Sequence, residues 1–164
     1  MPEYLYHFSE DPNIEVFKPH VVPTQQIEGA HVWADDERNA PRYWFPRECP
    51  RGTWWPKGDP DWSHRVHAIQ WDWHERFCAT TVYAYKFDAA PFEQVPGGWI
   101  AKQTIHPLEV NAIGPLLDLH REARIELRLV DDLWALWLEV IEMPGIDFSG
   151  IRLRNLPQHP ETRV

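Results

Sequence analysis

The sequence predicts an α+β fold in which short strands alternate with short helices and one longer helix comes late. Three observations predict it. Apolar and aromatic residues alternate with a period of two in several short runs, as half-buried strands do. Sixteen prolines in 164 residues leave little uninterrupted length for a bundle of long helices. Near the C-terminus, Leu127, Val130, Trp134, Trp137 and Ile141 step by three, four, three and four, which places them on one helical face.

Taken in order, Tyr4-Leu5-Tyr6-His7-Phe8 is a strand ended by the turn residues Ser9-Glu10-Asp11-Pro12. Pro19 and Pro23 frame a loop, and His31-Val32-Trp33-Ala34 forms a second strand. Asp35 is placed to cap a short helical segment that Pro41 limits. The stretch from Phe45 to Ser63, rich in proline, tryptophan and glycine, reads as an irregular excursion. Val66–Trp73 alternates with His67, Ile69, Trp71 and Trp73 on one face, and Thr81–Phe87 alternates with Tyr83, Tyr85 and Phe87 together. Gly97-Gly98 turns the chain into a strand at Trp99–Ile105, and Pro107–Ile113 holds another. Pro115 starts a helix. The late helical face keeps Asp131, Asp132 and Glu139 outside and ends at Pro144-Gly145. No repeat or linker divides the chain, so one domain over 1–164 is expected, large enough to bury roughly two thirds of its unfolded surface.

Composition excludes several classes. With 43% hydrophobic and 25% charged residues the chain belongs with globular proteins. Sixteen basic against 25 acidic residues give a net charge of −9, which opposes bulk nucleic-acid binding. No apolar run spans a bilayer and the start is not a signal peptide, so a cytoplasmic location and no membrane association are expected. Cys49 and Cys78 are too few for a disulfide framework.

Phosphate-cradling glycine loops and nucleophile elbows are absent from the sequence. His64-x-x-His67 with His74 and Cys78 is the densest metal-ligating group, but a strand there sends His64 and His67 to opposite faces; no metal is expected. Arg47-Glu48-Cys49-Pro50-Arg51 sets a thiol between two guanidinium groups. That pattern suits a lowered thiol pKa, an anion clamp by Arg47 and Arg51, or salt bridges to surplus acids. Trp33, Trp44, Trp54, Trp55 and Trp62 fall in or beside the irregular region, where a tryptophan serves as a stacking platform, a plug on the core or an exposed anchor for a protein partner.

Two motifs together resemble the ADP-ribosyltransferase-like fold. Tyr4-Leu5-Tyr6-His7-Phe8-Ser9 is similar to its first strand, where an aromatic–His–x–Ser/Thr pattern binds NAD. Val32-Trp33-Ala34-Asp35 followed by Ala40-x-x-Tyr43 is similar to its second element. The resemblance implies split antiparallel sheets with a nucleotide cleft between strand and helix. His7 would hydrogen-bond a ribose and Tyr43 would stack on nicotinamide as the candidate catalytic pair. Trp33 would lie beside them, and NAD would be bound as ligand or substrate, with ADP-ribose transfer as the chemistry. The supporting glutamate of those transferases has no counterpart in Gly98-Trp99-Ile100-Ala101-Lys102. With His106-Pro107 following, this stretch looks more like the RNA 2′-phosphotransferase branch, which reads phosphates with arginines such as Arg42, Arg47 and Arg51. A non-catalytic nucleotide-binding module is the alternative, and a tryptophan-based interaction domain the other. The whole chain also resembles an uncharacterised family of small bacterial proteins through its opening, Phe45-Pro46-Arg47-Glu48-Cys49-Pro50-Arg51 and Phe148-Ser149-Gly150-Ile151-Arg152.

Overall fold

Ten short strands and three short helices build the described part of the chain, residues 1–23, 25–59 and 64–161 of a computed structural model. The class is α+β, with three sheets in which all but one strand pair is antiparallel. Two compact units divide the chain, Met1–Tyr43 with Val82–Ile113 and Trp44–Thr81 with Gly114–Val164. Among the described residues no helix is long and apolar enough to cross a membrane.

The first unit holds β1 (Tyr4–Ser9), β2 (Val32–Ala34), β5 (Val82–Asp88), β6 (Glu93–Val95), β7 (Gly98–Ala101) and β8 (Glu109–Ile113). One sheet runs β1-β5-β8 and another β2-β7-β6. They meet where Tyr6 and Asp35 exchange both backbone hydrogen bonds, at 2.8 and 2.9 Å. Alternation along β1 and β5 turns Leu5, Tyr85 and Phe87 into a core with Phe17, Phe92 and Trp99. The Tyr85 hydroxyl donates to the Asp11 carbonyl and accepts from the Ile14 amide, which pins the first loop to this core. The strand expected over Trp99–Ile105 stops at Ala101, and Ile105 instead bridges to Phe17.

The second unit holds β3 (Arg51–Pro56), β4 (Val66–Gln70), α1 (His74–Ala79), α2 (Leu116–Glu122), β9 (Glu126–Val130), α3 (Leu133–Val140) and β10 (Ile146–Ile151). Its sheet runs β10-β3-β4-β9, with β4 and β9 parallel. One sheet face, carrying Trp54, Val66 and Ala68, packs on Leu133, Trp137 and Val140 of α3. The other carries Arg51, Thr53, His67 and Ile69, all almost fully buried.

Three expectations need correcting in this unit. The stretch expected to be irregular contains β3, whose last residue, Pro56, pairs with Ile146 at the strand end, where a missing amide is tolerated. The late helix starts only at Leu133, where the Asp132 carboxylate accepts from the Ala135 amide at 2.9 Å. Leu127 and Val130 belong to β9 instead, opposite His67 and Gln70, because a five-residue run fits either period. The alternation from Val66 ends at Gln70, and Trp71 and Trp73 lie in the helical turn that leads into α1. Trp62 and the rest of 60–63 fall outside the described residues.

Candidate functional site

In the first unit, β1 passes His7 beside β2, and the His7 ring nitrogen Nδ1 lies 3.3 Å from the Trp33 carbonyl oxygen. A carbonyl only accepts, so Nδ1 carries a proton and donates it to the Trp33 oxygen. Phe17 meets the ring edge-on with centroids 4.9 Å apart, and Phe87 lies parallel to it. Alternation sends Phe8 the other way, where it stacks on Tyr43 at 5.9 Å and 6°. Tyr43 ends the single helical turn Ala40–Tyr43. His7, Trp33 and Tyr43 are each half-buried.

Between β2 and that turn sits the polar centre of the unit. Asp36, rather than Asp35, caps the turn: its carboxylate accepts from the Asn39 amide at 2.9 Å and from the Trp99 indole at 3.3 Å. Asp35 faces inward with a side chain only 5% exposed, and both its oxygens accept from Arg42 Nη2 at 3.0 Å. Tyr43 adds a further hydrogen bond to the same carboxylate. Burial pushes the Asp35 carboxyl up to about 6, against the lowering pull of Arg42 and Tyr43.

Beside this pair lies a hollow of about 200 Å³, lined by Asp36, Asn39, Arg42, Gln94, Gly97, Gly98 and Trp99. Gly98 keeps its edge low, since a Cβ there would come within 3.1 Å of the Ala34 carbonyl and 3.7 Å of the Trp33 ring. The hollow presents a guanidinium, a carboxylate and two amides to a small polar ligand, and Val95 completes its lining. Sequence reading named Gly97-Gly98 only as a turn and Asp35 only as a cap. The Ala40-x-x-Tyr43 spacing was the available signal for this place, but nothing in it distinguishes the inward aspartate from the capping one.

Arg47 and Arg51 belong to the second unit. Arg47 is exposed, whereas Arg51 is 3% exposed and its Nη1 donates to the carbonyls of Arg47 and Cys49 at 3.3 and 3.1 Å. An anion could reach Arg51 only by entering the interior of the second unit. Cys49 is fully buried, and burial pushes its thiol up to about 12 even with Arg51 and Arg76 nearby. The thiol is therefore protonated at neutral pH, which removes the nucleophile suggested by the flanking arginines.

The histidine group also separates. His64 pairs with Asp59, His67 is buried against His120, and His74 lies against Trp71 and Cys78. Among the described residues no three His, Cys, Asp or Glu side chains are placed to hold a metal ion.

The fold therefore separates the expected trio: His7 packs on the Phe17–Phe87 side of β1, Tyr43 stacks on Phe8 on the other side, and neither they nor Trp33 line the polar hollow of this small α+β protein. The chain belongs to a family of unknown function, DUF6886, whose model matches residues 6–156 and so spans both units. Neither the curated proteins nor the solved structures give a match.

Proposed function

We propose that the first unit binds a nucleotide of the NAD class and that the chain is a divergent relative of the ADP-ribosyltransferase-like proteins. The observation that carries this reading is the hydrogen bond from His7 to the Trp33 carbonyl. That bond orients the imidazole, which in this reading meets a ribose hydroxyl. In this reading Tyr43 takes a planar base, which would have to displace its ring contact with Phe8 or Arg42, and the hollow lined by Asp36, Asn39, Arg42 and Gln94 takes the base's polar groups.

Turnover is a separate question. Cleaving the bond between ribose and nicotinamide passes through an oxocarbenium-like state that a nearby carboxylate stabilises. Strand β7 carries no acid. The carboxylates beside the hollow are both engaged, Asp35 with Arg42 and Asp36 with Asn39 and Trp99. This favours binding with slow or no transfer over an efficient transferase. A protein-interaction role has one observation behind it: Trp71 is 53% exposed, whereas the other described tryptophans are at least half-buried.

Calorimetric titration with NAD, with nicotinamide assayed in the same sample, tests the reading. Binding that weakens tenfold or more in His7→Ala supports it, and released nicotinamide adds transfer or hydrolysis. An unchanged affinity in His7→Ala, or no binding at millimolar NAD, overturns it.

A further inference from the structure

The opposite face of the second unit's sheet hides a polar group with no surface role. His67 on β4 is 0% exposed and His120 on α2 is 1% exposed, and His67 Nδ1 lies 2.9 Å from His120 Nε2. His120 Nδ1 lies 2.8 Å from the Leu116 carbonyl. The carbonyl accepts, so His120 carries its proton on Nδ1 and offers Nε2 as acceptor. His67 must then donate from Nδ1, and its lone pair sits on Nε2, which has no hydrogen-bond partner among the described residues. Both rings are neutral in this arrangement, and this side-chain hydrogen bond ties α2 to the middle of the sheet. Phe45, Phe77 and Trp44 close over His120 with ring centroids 5.2 to 6.0 Å away, and Phe45 also covers His67.

A proton on His120 breaks the pattern, whereas a proton on His67 Nε2 leaves the hydrogen bond in place and buries a charge. On His120 it would occupy the Nε2 that accepts from His67. On His67 it would place a cation where burial, His120 itself, Arg65 just before β4 and Arg51 of β3 all oppose it. The charged side chains on the other packed elements engage one another or aromatic faces: Asp118 with Arg121 on α2, Glu126 with Arg128 on β9, and Arg76 over Trp73 on α1. Burial and these guanidinium groups hold both imidazoles below the usual histidine range.

We propose that the His67–His120 pair is an acid-released latch: proton uptake by the pair frees α2 from the four-stranded sheet and opens the second unit, while the first unit stays folded. The device follows from a buried donor–acceptor chain in which His120 Nε2 accepts only while unprotonated and a charge on His67 would be buried beside Arg51 and Arg65, and it is independent of any ligand of the first unit.

Hydrogen exchange of the intact chain, corrected for the intrinsic pH dependence, tests it. Between pH 7 and 4.5 the protection of 116–122 and 66–70 should fall more than tenfold, while that of 4–9 and 82–88 holds. His120→Gln, whose amide oxygen accepts the same hydrogen bond without titrating, should flatten the response. Unchanged protection to pH 4.5, loss in both units at one pH, or an intact response in His120→Gln overturns the proposal. If that variant does not fold, ¹⁵N shifts of the two rings in the wild type decide. Protonation coincident with opening of 116–122 supports the latch, and protonation without opening refutes it.

Discussion

The Asp35 carboxylate and the Arg42 guanidinium form a buried pair whose two members respond differently to losing their partner. Arginine stays charged at any accessible pH, whereas a buried aspartate can escape by taking a proton, and Asp35 already sits at about 6. Asp35→Asn leaves a cation with an 11% exposed side chain beside a neutral amide. Loss of one partner of a buried pair costs about 3–5 kcal/mol when no such escape exists. Arg42→Met leaves an aspartate that protonates near neutrality, so its cost should be smaller, on the order of 1–2 kcal/mol. Urea denaturation at pH 7 checks the ordering, and equal costs, or a larger cost for Arg42→Met, would contradict it.

At the scale of elements, one contact decides how α3 sits on its sheet. Gly52 of β3 and Gly150 of β10 are register partners, and the Trp137 ring lies over both. A Cβ would stand 2.8 Å from the ring at position 52 and 2.9 Å from it at 150, where the Leu153 side chain would be closer still. Gly52→Ala or Gly150→Ala should therefore destabilise by about 1–3 kcal/mol through overpacking, and Trp137→Ala by about 3–5 kcal/mol through the cavity it leaves. Neutral glycine variants in a thermal-shift series would show that the ring moves aside freely. This contact also marks what could be read from the chain alone. Trp137 was placed on an apolar face by the spacing Val130, Trp134, Trp137 and Ile141, but the residues α3 buries are Leu133, Trp137 and Val140, and Ile141 is exposed. The glycines beneath Trp137 were not legible, because close approach between sequence-distant elements leaves no local pattern. The strands around His7 and Tyr85 were legible from alternation, and β3 was hidden by the prolines at its two ends. Within the candidate site, His7, Trp33 and Tyr43 could be named from motif spacing. The inward turn of Asp35 and the burial of His120 arise from tertiary packing and could not.

Across the whole molecule, acid acts on the two units with opposite signs. Asp35 of the first unit titrates near 3.8 when unfolded and at about 6 when folded. Its favourable contribution is complete below the lower value and lost as pH rises through the upper one. His120 of the second unit titrates near 6.5 when unfolded and at about 4 when folded. Its contribution is complete above the higher value and lost as pH falls through the lower one. Each is worth about 3 kcal/mol at full extent, so the two largely cancel in any free energy that treats the chain as a single cooperative block. They do not cancel unit by unit. Moving from pH 7 to pH 5 strengthens the first unit and weakens the second, separating them by on the order of 3 kcal/mol, or a melting difference on the order of 15 °C. Differential scanning calorimetry should therefore show a heat-absorption profile that broadens or splits on acidification. Asp35→Asn should remove the upward arm, and His120→Gln should reduce the downward one, to which buried His67 also contributes. A single sharp transition that keeps its shape from pH 7 to pH 5 would mean that neither group has the displaced affinity for protons that its burial implies, or that the two units melt as one. His120→Gln then separates these cases: a melting temperature at pH 5 raised relative to wild type identifies common melting, and an unchanged one identifies an ordinary histidine.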